Sequence, residues 1–179
     1  MNKLLTKYGF LAVLLSLVFS FSSCGKNNDE VIVDDAWKLE NEAFFLEKAQ
    51  NPAYTKLKSE ANDGYILYKS LVKGTGEPVY YTSRVEMYYK GTLINGKKFD
   101  SHQFADGAPV KFSVSPQGAS QLYGSVISGW TVALQGMVEG DKWEVVIPSE
   151  LGYGANANKD IPGYSNLIFE MEVMKVIQP

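Results

Sequence analysis

Apolar residues recur at every second position in several short runs from residue 64 onward, and glycine, proline and asparagine separate those runs. The first, Gly64-Tyr65-Ile66-Leu67-Tyr68-Lys69-Ser70-Leu71-Val72, predicts a strand that stops at the turn residues Lys73-Gly74-Thr75-Gly76-Glu77-Pro78. In Val85-Glu86-Met87-Tyr88-Tyr89-Lys90 the alternation puts Val85, Met87 and Tyr89 on one face. Lys142-Trp143-Glu144-Val145-Val146-Ile147 alternates again, and Leu167, Phe169, Met171 and Val173 share a face of the last run, so Phe169 is expected to look inward. Asn95-Gly96 predicts a two-residue hairpin of type I′, with positive φ at both positions, which would set the register of Phe99 and Asp100. One segment breaks the strand pattern. Trp130, Ala133, Leu134 and Met137 recur at i, i+3, i+4 and i+7, predicting a short helix that Gly140 stops. A helix with a single apolar stripe must lie on a sheet, so the expected fold is α+β, a curved antiparallel sheet wrapped around one short helix. A ligand cleft is expected between the helix start and the sheet.

Ahead of this domain, residues 36–62 have a different texture, with Trp37, Leu39, Phe44, Phe45, Leu46, Tyr54 and Leu57 among glutamates and lysines and no glycine. This predicts a helical N-terminal extension, with Asn41 capping a helix over Glu42–Ala49 and Pro52 starting a second turn or helix. Only two or three helical turns fit on each side of Pro52, so the extension is expected to pack on its own domain.

The N-terminus reads as an address label. Lys3 and Lys7 precede the apolar stretch from Phe10 to Phe19, which is followed by Phe21-Ser22-Ser23-Cys24. This is the order of a lipoprotein signal peptide over residues 1–23, and the apolar stretch is shorter than the ~20 residues of a spanning helix. Cys24 would take a diacylglycerol on its thiol and become the acylated N-terminus, although Phe21 departs from the leucine usual at that position. It is the single cysteine, so one chain forms no disulfide. Residues 24–35 would follow as a polar, acidic tether. The expected location is the bacterial cell envelope, lipid-anchored, with the outer membrane favoured, on its periplasmic face or at the cell surface.

Composition fits that division. The chain carries 11 Tyr, 9 Phe and 3 Trp, ample aromatic content to fill one core. Removing residues 1–23 takes two lysines and no acid from a formal charge of −3, leaving −5, which argues against a nucleic-acid partner.

Five collinear blocks carry a more specific signal: Tyr89-Lys90-Gly91, Gly96-Lys97-Lys98-Phe99-Asp100-Ser101, Val126-Ile127-Ser128-Gly129-Trp130, Leu151-Gly152-Tyr153-Gly154, and Ile161-Pro162 with Leu167–Val173. In order and approximate spacing they resemble the motifs of FKBP-type peptidyl-prolyl cis-trans isomerases, over nearly all of residues 64–179. The resemblance implies an FKBP-like fold and an isomerase acting on proline-containing polypeptides, with tacrolimus- or rapamycin-type macrolides as further ligands. Trp130 would be the pocket floor, Tyr89, Phe99 and Phe169 its walls, and Val126, Ile127 and Ile161 would complete the lining. The Ile127 N–H and the Tyr153 hydroxyl would bind substrate carbonyls, and Asp100 would act as a fixed electrostatic group beside the rotating one.

Two departures from the family pattern bear on rate and specificity. Val110 stands where many members have a pocket phenylalanine, which implies a lost aromatic wall, and the segment from Ser113 to Ser125 is longer than usual and enters directly before Val126. Both favour the rival reading, a noncatalytic FKBP-like peptide-binding or chaperone module. Other chemistries fit poorly. His102, the sole histidine, is too close in sequence to Asp100 and Ser101 to converge with them on one site and reads as a surface-loop residue. One histidine and one acylated cysteine do not make a transition-metal site, and no cofactor is implied.

Overall fold

The period-two runs become the strands of one antiparallel sheet. In the computed structural model, which describes residues 35–61 and 63–178, these are β1 (Thr55–Lys58), β2 (Tyr65–Val72), β3 (Arg84–Thr92), β4 (Lys98–His102), β5 (Val110–Ser113), β6 (Lys142–Ile147) and β7 (Leu167–Ile177). Two helices, α1 (Asp35–Gln50) and α2 (Ser128–Gln135), complete the fold. The leader, Cys24 and the tether up to residue 34 lie outside the described residues.

The sheet order is β1-β2-β6-β7-β3-β4, and β5 also pairs with β3. Strand β3 therefore shares one edge between two partners: β5 pairs with Arg84–Met87 and β4 with Tyr89–Thr92. On β7 the expected alternation holds, with Leu167, Phe169, Met171 and Val173 buried and Glu170 and Glu172 on the outer face. Those two glutamates meet Lys142 at 4.0 and 3.4 Å, and Glu170 also meets Lys90 at 3.9 Å. Such exposed pairs add little stability. The fold rests on the other face, where α2 buries Trp130, Val132, Ala133 and Leu134 against the sheet. Full burial of a large aliphatic side chain contributes roughly 1.5–3 kcal/mol. Gly129 lets the helix come close, since a Cβ there would stand 2.3 Å from Ile147 Cγ2.

Helix α2 stops at Gly136, not at Gly140. The Gly136 N–H donates back to Ala133 and Leu134, whereas Gly140 (φ 89°) turns the chain into β6. Buried Asp141 fixes that turn by accepting from the N–H groups of Val138 and Gly74, each at 2.8 Å. The Asn95-Gly96 hairpin also differs from a type I′ turn. Only Gly96 has positive φ (80°), its N–H donates to the Leu93 carbonyl at 2.9 Å, and Leu93 N–H donates to Lys97 at 2.9 Å. Asn95 instead accepts from Lys97 N–H through its side chain. The register slips between Gly91 and Thr92, as a longer turn closed by a left-handed glycine requires.

The N-terminal extension is one helix of 16 residues followed by a strand of four. Helix α1 begins at Asp35, so Asn41 is not a cap but an interior residue, 1% exposed. Its amide donates to the Trp37 carbonyl at 2.8 Å and accepts the Asn166 N–H at 2.7 Å, while the Asn166 side chain donates to the Asn41 carbonyl. Trp37 Nε1 donates to Ser165 Oγ at 3.1 Å, and the Phe45 ring lies 5.4 Å from that of Tyr65. The helix thus packs on its own domain. After Asn51 and Pro52 turn the chain, Thr55–Lys58 does not form a second helix. Only Leu57 of these four is partly buried, turned toward Gly136, and the segment adds β1 to the sheet edge beside β2.

Candidate active site

Five aromatic side chains from five elements converge at the start of α2. Trp130, in its first turn, has the rings of Tyr89 (β3), Phe112 (β5) and Phe169 (β7) at 5.1, 5.2 and 5.1 Å, all edge-on with interplanar angles of 76°, 77° and 87°. Phe99 from β4 meets Phe169 edge-on at 5.5 Å. Edge-to-face contacts of this kind match the positive rim of one ring to the negative face of another and add ≈ 0.5–1.5 kcal/mol per pair beyond burial. They also leave a gap above the indole. The resulting cavity, about 130 Å³, is lined by these rings with Asp100, Ser125, Val126, Ile127 and Tyr153.

Gly91 makes the arrangement possible. It pairs with Phe169 on one side and Asp100 on the other, and a Cβ there would lie 2.6 Å from Phe99 Cζ and 2.7 Å from Phe169 Cε1. Without a side chain at that point, both rings close over the strand.

Few polar groups reach the cavity. Tyr89 Oη donates to Asp100 Oδ2 at 3.0 Å, which holds the carboxylate at the rim. Burial, and then the bond to Asp100 and its charge, push the Tyr89 phenol well above its usual pKa. Tyr153, 38% exposed, is raised too, first by burial and then by the Asp100 charge, with a hydrogen bond to Asn158 partly offsetting both. Both hydroxyls therefore stay protonated at neutral pH. The Tyr89 proton is committed to Asp100, which leaves Tyr153 as the hydroxyl donor for a ligand. Ile127 occupies the N-cap position of α2 in extended conformation (φ −69°, ψ 157°), and its carbonyl accepts from the N–H groups of Trp130 and Thr131. Its own N–H has no partner among the described residues. Trp130 Nε1, buried, also lacks one among the described residues.

Tyr89, Phe99, Asp100, Val126, Ile127, Trp130, Tyr153 and Phe169 are thus brought together, whereas Val110 and Ile161 do not line the cavity. Val110 is half-buried opposite Met87 on β3, and Ile161 belongs to the core. The aromatic wall expected to be missing is present, because Phe112, two residues further along the same face of β5, packs on both Tyr89 and Trp130. Phe112 and Ser125 are the lining residues that sequence reasoning missed. The alternation of Val110-Lys111-Phe112 was the available signal for the first.

The long segment before Val126 is strapped down away from the mouth. Val114 N–H donates to Ser83, the Thr131 hydroxyl donates to the Val114 carbonyl at 2.8 Å, Tyr81 Oη donates to Gln117, and Arg84 lies over the Tyr123 ring at 4.9 Å. Of this segment only Ser125 lines the cavity. His102 lies on β4 rather than in a loop, stacked on Tyr88 at 6.2 Å with Nε2 held 2.8 Å from the Ala108 carbonyl, so it has no part in the site. No group of three or more His, Cys, Asp or Glu among the described residues could hold a metal ion.

The model of the family described as FKBP-type peptidyl-prolyl cis-trans isomerase matches residues 76–174. The chain belongs to this family. It is 39% identical to the FKBP-type 22 kDa peptidyl-prolyl cis-trans isomerase of Escherichia coli, over 62% of this chain and 49% of that protein. Against the protein named FK506-binding protein in Neisseria meningitidis, identity is 36% over 64% of this chain and 99% of the other. A solved peptidyl-prolyl cis-trans isomerase from Pseudomonas syringae has the same fold, with a TM-score of 0.66 and 34% identity, covering 80% of this chain and 96% of that one. The chain thus spans about half the length of the Escherichia coli relative.

In this FKBP-type chain the fit at Gly91 is a sharp test of the site. Gly91→Ala should displace the Phe99 and Phe169 rings, lower stability by about 1–3 kcal/mol in urea titrations, and abolish saturable binding of a proline-containing tetrapeptide. Unchanged binding would show that the two rings do not form the pocket.

Proposed function

We propose that this protein catalyses cis/trans isomerisation of Xaa-Pro bonds in exported polypeptides while tethered to a bacterial envelope membrane. The observation that carries the catalytic part is the Trp130 floor ringed by edge-on aromatics, with Asp100 and Tyr153 at its rim.

Rotation about a prolyl amide loses resonance, a barrier of ~18–20 kcal/mol, while the end states differ by only about 0.5–1 kcal/mol. No bond breaks and no proton need move, so the catalyst has only to bind the twisted amide better than the planar one. The planar form is the more dipolar, and a site that withholds water disfavours it more than the twisted form. In that scheme the proline ring sits over the Trp130 indole, the Ile127 N–H and the Tyr153 hydroxyl hold substrate carbonyls, and Asp100 supplies a fixed negative charge beside the carbonyl that turns. Tyr89 holds Asp100 in place and is not itself a proton donor to substrate.

The noncatalytic alternative drew on a missing wall and a long rim. Phe112 supplies an aromatic face, and the long segment is bonded to Ser83 and Thr131, so both features favour catalysis. Macrolides of the tacrolimus class are expected to compete for the same cavity, in keeping with the name of the Neisseria relative. Support for the tether is the order of Lys3, Lys7, the apolar stretch 10–19 and Cys24.

Two experiments test these readings. In a coupled assay on a short Xaa-Pro peptide the protein should accelerate relaxation at micromolar concentration. Asp100→Ala and Tyr153→Phe should each lower kcat/KM by about tenfold, the loss of one charge-assisted or buried hydrogen bond; wild-type protein without effect on the rate would sink the enzyme reading. For the anchor, cells expressing the full chain and fed radiolabelled palmitate should label the wild type and not Cys24→Ser. Equal labelling of both, or of neither, would rule out Cys24 as the acylated residue.

A further inference from the structure

A second and larger concavity, about 570 Å³, lies beside the prolyl cavity, between α1 and the turn that carries Tyr153. Phe45 and Leu46 of α1 form one wall, and Pro148, Ala155 and Tyr164 form the other. We propose that this groove holds an extended, apolar stretch of the same unfolded polypeptide whose proline occupies the cavity over Trp130. The inference rests on the isomerase reading of that cavity and adds a subsite to it.

Continuity is the first argument. Tyr153 lines the prolyl cavity and Gly154, the next residue, lines the groove, so a single turn separates the two. Consecutive Cα atoms are about 3.8 Å apart and an extended chain advances about 3.3 Å per residue, so residues a few positions from the proline reach the groove. Preorganisation is the second. The floor residues Asn41 and Asn166 satisfy each other, Trp37 is bonded to Ser165, and Tyr164 N–H donates to the Gly154 carbonyl at 2.8 Å. Both walls are therefore tied together before any ligand arrives, and the groove offers apolar surface rather than unpaired polar groups. Charge is the third argument. Lys38, Glu42 and Glu150 line the groove with mixed signs, and Lys38 lies 3.8 Å from Glu42 and 4.9 Å from the Tyr164 ring centre. Lys38 and Glu42 offset each other and Glu150 leaves a single negative charge, so the groove disfavours only acidic ligands. It suits exposed apolar segments of unfolded chains, in which a proline is one residue among many.

Leu46 and Leu39 provide a matched test, because they are 58% and 63% exposed on the same helix but only Leu46 lines the groove. Wild type, Leu46→Asp and Leu39→Asp are assayed on an Xaa-Pro tetrapeptide and on the proline-limited refolding of a reduced protein. Leu46→Asp should lower kcat/KM for the unfolded protein by about fivefold, the loss of one apolar contact, and leave the tetrapeptide rate unchanged. Leu39→Asp should change neither. Equal loss on both substrates, or no loss on either, overturns the subsite, as does a monomer-dimer equilibrium that Leu46→Asp abolishes, which would make the groove a contact between copies. Should wild type fail on the tetrapeptide, the catalytic reading fails alone, and the groove is tested by fluorescence anisotropy of a labelled, permanently unfolded polypeptide with every proline replaced. Wild type should bind it and Leu46→Asp should not; no binding by wild type contradicts the proposal.

Discussion

The edge-on packing of Tyr89, Phe112 and Phe169 around the Trp130 indole is the constraint on which the rest of the structure depends. Three neighbouring rings that meet the floor by their edges leave its surroundings apolar without filling the space above it. The sheet serves this arrangement: β3, β5 and β7 each contribute one ring, and β4 adds Phe99 and Asp100. Splitting one edge of β3 between β4 and β5 lets side chains from both strands face the same indole. A single residue without a side chain, Gly91, then allows Phe99 and Phe169 to meet over the strand.

The polar part of the site is sparse, and its sparseness is what isomerisation asks for. A cavity rich in donors and acceptors would solvate the planar amide as well as water does. Here one carboxylate is held by a neighbouring tyrosine, one tyrosine keeps its proton through burial and the nearby charge, and one backbone N–H stands at the start of a helix. Helix α1 braces the turn beyond Tyr153 through Ser165 and Asn166, so the N-terminal extension takes part in shaping the surface next to the pocket.

Much of this was legible from alternation alone. The inward faces of β6 and β7, the direction of Tyr89 and Phe169, and the stripe of α2 follow from periods of two and 3.6. What was not legible depended on partners distant in sequence. Asn41 reads as a cap because asparagine is a good one, but its amide is used across the fold by Asn166, far along the chain. Thr55–Lys58 becomes a strand because β2 offers a free edge, a fact that no local propensity encodes. Asn95-Gly96 carries a hairpin signal, yet the turn takes in Leu93 and Ile94, and one register slip absorbs the difference. Val110 and Phe112 share a face, and which of them reaches Trp130 is decided by the pairing of Phe112 with Val85. Most site residues given by motif position line the cavity; Val110 and Ile161 are the two that do not.

The central claim is that a proline ring sits on the Trp130 indole while its amide turns. The most direct measurement is exchange NMR on an isotopically labelled Xaa-Pro peptide with substoichiometric protein, together with intermolecular NOEs. Cis/trans exchange should be too slow to detect without protein and detectable with it, with NOEs from the proline ring protons to the Trp130 indole and the rings of Tyr89 and Phe99. Exchange unaltered by the protein, or NOEs to a surface away from Trp130, would contradict it.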